Sequence, residues 1–180
     1  MTRSTIDLWL RAMNPFVLPR GMAEAQRSAR VMVVGLAIAL VVGLVPTWWM
    51  FTSGWFETAM NAEYSRMNLT AAQIATQRAV MQAMWPYMIG FGAIFSVVLY
   101  GVLAAVQWRM MTRVIPLIML ALIAYSLVAN IGMRLLESFR GPELPLWIML
   151  LVWPASLVSA VIYVASLQGA MLLHRLRREP

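Results

Sequence analysis

The chain has no cysteine and no lysine, one histidine, and only seven acidic residues among 180. Without cysteine there is no disulfide, no thiolate metal site and no thiol nucleophile. Every basic residue is arginine, which reads as the codon usage of a GC-rich bacterial genome. Charged residues make up 12% of the sequence, where a soluble domain carries roughly 25%. Hydrophobic residues make up 62%, and the mean hydropathy is +0.74. One soluble core of this size cannot hide that much apolar surface. Bilayer hydrocarbon is the solvent that suits it.

Four stretches are long and apolar enough to cross a hydrocarbon core of about 30 Å. They cover residues 31–50, 85–107, 114–133 and 145–173, and none contains Asp, Glu, Arg, Lys or His. The expected fold is therefore all-α, a single polytopic membrane domain over residues 1–180 with four transmembrane helices. The fourth stretch is too long for a perpendicular span and must tilt, kink or extend beyond the bilayer.

Arginine placement sets the orientation. Arg3, Arg11, Arg20, Arg27, Arg30, Arg109, Arg113, Arg175, Arg177 and Arg178 fall on one side, with Asp7, Glu24 and Glu179. The other side has Arg66, Arg78, Arg134 and Arg140 against Glu57, Glu63, Glu137 and Glu143, so all of the +7 net charge lies on the first. Positive charge marks the cytoplasmic face. Both termini are expected there, in a multi-pass protein of a bacterial cytoplasmic (inner) membrane. Because the arginines are scattered between spans instead of forming one patch, nucleic acid is not an expected partner.

Tryptophans bracket the same boundaries, as indole prefers the headgroup zone. Trp48, Trp49, Trp55, Trp85 and Trp147 fall at the expected outer interface and Trp108 at the inner one. Pro86, Pro116 and Pro145 stand where spans two to four should begin, the position at which a missing N–H costs least. Pro46 and Pro154 lie inside spans and should kink them.

Two helices are expected outside the spans. Ile6, Trp9, Leu10 and Met13 follow the i, i+3, i+4, i+7 spacing of one face, with Arg11 beside it. Such a segment suits the membrane surface or the protein's own cytoplasmic side, and Asn14-Pro15 should end it. Thr70-Ala71-Ala72-Gln73 has the form of a capping box, from which helix should run to the Trp85-Pro86 start of span two. The spans themselves need nothing before Val31 on this reading.

Little here carries chemistry. No nucleophile–base pair, phosphate loop or HExxH spacing occurs, so no enzyme activity and no cofactor is expected. His174, at the inner end of span four, supplies no intramembrane haem ligand. Ser126 and Asn130, one turn apart, are the most polar point in the spans and suit hydrogen bonds between helices. A channel or transporter subunit would need that face to meet the serines of span four, Ser156 and Ser159. Small residues recur four apart at Gly92 and Ser96, Gly101 and Ala105, Ala155 and Ser159, and Ser156 and Ala160. Such pairs let helices approach closely, within the bundle or in a homo-oligomer or protein complex. Met81, Met84 and Met88 share one helical face near the outer surface. Thioethers select Cu(I), but methionine is also a flexible packing residue.

The order of segments is familiar: a short helix ending in Asn14-Pro15-Phe16, a basic lead-in and a first span. An outer loop with Leu69-Thr70-Ala71-Ala72-Gln73 then leads into further polytopic helices. In architecture the chain resembles bacterial members of the Yip family, the Ypt/Rab-interacting proteins, whose members usually have five spans. The resemblance implies a non-enzymatic membrane protein that uses helices and cytoplasmic segments for association. The expected role is thus an interaction, scaffold or accessory subunit in the lipid bilayer. A small transporter or channel subunit is the alternative, and a Met-rich copper-handling protein a further one.

Overall fold

A computed structural model describes residues 4–67, 69–135 and 144–178, without the side chains of 130–135. The described residues form seven helices and no strand. They are α1 Thr5–Met13, α2 Met22–Arg30, α3 Met32–Thr52, α4 Trp55–Tyr64, α5 Ala71–Met110, α6 Val114–Leu135 and α7 Leu146–Leu176. Among the described residues, three stretches are long and apolar enough to cross a membrane: α2 with α3, α5, and α7. Helix α6 adds a shorter apolar segment, Val114–Ala129.

Two capping boxes form, the expected one at Thr70 and a second at Ser4. Ser4 Oγ accepts from the Asp7 N–H at 3.2 Å while Asp7 Oδ2 accepts from the Ser4 N–H at 3.3 Å, which starts α1. Asn14 Oδ1 then takes the Phe16 N–H at 2.9 Å and turns the chain ahead of the next helix. Thr70 and Gln73 make the same reciprocal pair at the start of α5.

Two expectations are corrected. Pro86 does not stand at the start of a helix, where its missing N–H would cost least. It lies inside α5, which runs 40 residues without interruption, about 60 Å at 1.5 Å per residue and twice the hydrocarbon core. The lost i→i−4 bond kinks a helix without ending it where neighbouring groups or water reach the freed carbonyl. The residues before Val31 are not a passive lead-in either. Residues 22–30 form α2, whose Ala25, Ser28 and Ala29 are buried. With Met32 these occupy i, i+3, i+4 and i+7, one helical face made mostly of small side chains.

Helix α7 is the centre of the fold and packs against α1, α2, α3 and α6, while α3 carries α5 and α4 on its other side. The main core is Met32, Leu36, Ile115, Met119 and Tyr163, flanked by Tyr100, Leu103 and Ile123. A second cluster joins Ala25 and Ala29 to Ala170 and Leu173. Both lie at the arginine-rich end of the helices. The apolar window of α5 buries none of its residues.

Candidate functional site

At the arginine end, α2 meets α7 with almost no space between backbones. A β-carbon at Gly169 would lie 2.7 Å from the Ala29 nitrogen and 2.8 Å from the Ala25 carbonyl oxygen. One at Gly35 would lie 2.6 Å from Tyr163 Cε1. Such proximity brings side-chain donors to backbone carbonyls. Ser28 Oγ donates to Ala165 O at 2.7 Å and is also 3.2 Å from Ala12 O. Ser166 Oγ donates to Ala29 O at 2.9 Å, and Gln107 Nε2 donates to the same carbonyl at 3.0 Å. Three helices, α2, α5 and α7, are thereby tied by buried polar bonds, and α1 adds the part-buried approach of Ala12 O to Ser28. Spacing alone does not single these residues out, although Ala25/Ala29 and Ala165/Gly169 repeat the four-residue spacing of the small pairs on α5.

Trp9 stacks on Trp108, with ring centroids 6.4 Å apart and planes 13° from parallel. The Arg30 guanidinium sits 5.1 Å over the same Trp108 ring and its Nε donates to Trp108 O at 3.4 Å. Arg11 approaches Glu24 at 4.0 Å. Trp9 and Met13 thus face the protein, while Ile6, Leu10, Phe16 and Leu18 remain exposed. The apolar face of α1 is therefore partly turned to the protein's own helices and partly exposed.

Among the described residues, three cavities lie between the helices away from the α2–α7 contact. The first, about 350 Å³, lies between α3, α5, α6 and α7 and is lined by Ser126, Ser156 and Ser159 with Tyr100 and Tyr163. The two serine groups singled out in the sequence therefore meet. The Asn130 side chain lies outside the described residues. Ser159 Oγ also reaches Gly35 O at 3.5 Å. The second cavity, about 510 Å³, is a groove between α3 and α5 that includes Gly92 and Ser96. Ser96 Oγ is bonded back to Gly92 O at 2.8 Å within its own helix, and no atom lies within 4 Å of a Gly92 β-carbon. Gly101 is equally open, and Ala105 is exposed beside it. Among the described residues, nothing packs against Gly92 or Gly101 of these α5 pairs.

The third cavity, about 290 Å³, lies under α4 and is lined by Phe51, Phe56, Tyr64, Trp85, Glu57 and Arg78, among others. Phe56 lies on Trp85 with ring centroids 3.4 Å apart, and Trp49 meets Trp147 edge-on at 5.5 Å, whereas Trp48 is exposed. Met81 lines this cavity, Met88 lines the α3–α5 groove and Met84 is exposed.

No family model, curated protein or solved structure matches the chain.

Proposed function

We propose that the protein is a four-span component of a bacterial cytoplasmic membrane, both ends cytoplasmic, acting as a non-enzymatic interaction or accessory subunit of Yip-like architecture. The observation that carries this reading is the fixed platform at the arginine end. Helix α1 is held by Trp108, Ser28 and α7, and it presents Ile6 and Leu10 outward with Phe16 and Leu18 beyond it. An amphipathic helix fastened in one pose offers a preorganised apolar surface next to the bilayer. Trp9→Glu should release it, since burying a large side chain is worth about 1.5–3 kcal/mol. Hydrogen exchange of Thr5–Met13 should then accelerate while α2 stays protected. A protein that co-purifies with wild type in mild detergent should be lost from the variant. Recovery of no protein with wild type, or equal recovery with both, would remove the interaction reading.

Topology is tested separately. Reporter fusions at Arg3, Arg109 and Arg178 should read cytoplasmic, and those at Glu63 and Glu143 periplasmic, because the arginine excess lies on one side. A periplasmic C-terminus would require an odd number of spans, as in the five-span family pattern.

Transport is the second reading, favoured by the cavity that Ser126, Ser156 and Ser159 share. Its arginine end is formed by Met119 and Tyr163, which belong to the main core. A solute path would have to part that cluster.

A further inference from the structure

We propose that the tryptophan end holds one amine-bearing phospholipid, its headgroup in the cavity under α4 and one acyl chain in the groove between α3 and α5. This rests on the membrane reading above. The headgroup cavity combines the two charges that a zwitterion needs. Phe51, Phe56, Tyr64 and Trp85 present rings, and Glu57 a carboxylate, to the same space. Aromatic faces attract an ammonium group, and the carboxylate neutralises it. Arg78 supplies the opposite charge, suited to a phosphate. Its Nη2 donates to Asn61 Oδ1 at 2.6 Å, and both residues line the cavity. Pro86 adds an acceptor nearby: having no N–H, it leaves the Gln82 carbonyl without its helical donor, and both residues line the cavity.

The groove continues from this cavity, for Phe51, Phe56 and Trp85 line both. Its walls run from Ala39 to Phe51 on α3 and from Trp85 to Tyr100 on α5 and are mostly apolar, with Thr47, Ser96 and Tyr100 the exceptions. Gly43 and Gly92 widen it, as no atom lies within 4 Å of a β-carbon at either. The α3 wall is about 18 Å long at 1.5 Å per residue, close to one leaflet's half of a core of about 30 Å. One chain from one leaflet therefore fits it, and a lipid rather than a free amine or phosphate is the occupant. The pairing of one acid with one base favours a zwitterionic headgroup over an anionic one.

Native mass spectrometry of the full chain in mild detergent, titrated with phosphatidylethanolamine, phosphatidylglycerol or phosphoethanolamine alone, tests this. One phosphatidylethanolamine should be retained, about fivefold more tightly than phosphatidylglycerol, and the headgroup alone should not bind. Glu57→Gln should abolish that preference by weakening the amine lipid about fivefold. Gly92→Leu should fill the groove and weaken both lipids, with the thermal midpoint of the protein unchanged. Equal binding of the two lipids, unaffected by Glu57→Gln, would overturn the headgroup assignment, and full binding by Gly92→Leu would overturn the groove. A chain whose reporter fusions read as expected but that retains no lipid overturns this proposal alone. Discordant fusions would instead strike the membrane topology.

Discussion

Gly169→Ala, the addition of one methyl group, is expected to destabilise the folded protein by about 2–3 kcal/mol. The β-carbon would come within 2.7–2.8 Å of the Ala29 nitrogen, Ser28 Cβ and the Ala25 carbonyl oxygen. Two of these atoms are backbone, so no side-chain rotation relieves the clash, and α2 must move away from α7. In lipid that separation is costly in a particular way. Helix association there depends on close packing and interhelical hydrogen bonds, with no hydrophobic drive to replace them. Moving α2 also stretches the Ser28–Ala165 and Ser166–Ala29 bonds. Gly92→Ala and Gly101→Ala are the controls: both sites are helical and open, and each change should leave stability unchanged or raise it by up to about 1 kcal/mol. Unfolding in mixed micelles with increasing denaturing detergent, followed by tryptophan fluorescence, measures all three. A Gly169→Ala protein as stable as the two controls would mean that the α2–α7 contact is loose.

The same three glycines show how far the sequence reaches. Each has a small residue four positions away, at Ala165, Ser96 and Ala105, so spacing alone cannot rank them. What separates them is whether another backbone lies opposite, a tertiary fact that a helical repeat does not encode. The apolar stretches were legible because length and composition set membrane helices directly. The capping boxes at Ser4 and Thr70 were of the same local kind, although only Thr70 was recognised beforehand. Helix α2 was hidden because its buried face is Ala25, Ser28 and Ala29, too small to register as apolar periodicity among Glu24, Gln26, Arg27 and Arg30. Pro86 lies in the interior of α5 and not at a helix start, because a helix tolerates a proline where other groups or water reach the freed carbonyl. Gln107 looked like the polar end of a span and is instead buried against Ala29.

That glutamine gives the second large effect, visible only in combination. The Ala29 carbonyl accepts from both Ser166 Oγ at 2.9 Å and Gln107 Nε2 at 3.0 Å. Gln107→Leu removes one donor, but it also removes Oε1, which is buried without a hydrogen-bond partner among the described residues. The two changes oppose each other, so the single variant should lie within about 0.5 kcal/mol of wild type. Ser166→Ala should cost about 1 kcal/mol, the usual worth of a hydrogen bond between membrane helices. Together the substitutions leave the buried Ala29 carbonyl with neither side-chain donor, a penalty of about 1–3 kcal/mol beyond the lost bonds. The double variant should therefore fall about 3 kcal/mol below wild type, well past the sum of the singles. The same micelle titration supplies the cycle, and coupling of at least about 1 kcal/mol is the expected result. Additivity within about 0.5 kcal/mol would show that the carbonyl does not depend on this shared pair. Shape at Gly169 would then be left as what holds α2 in place.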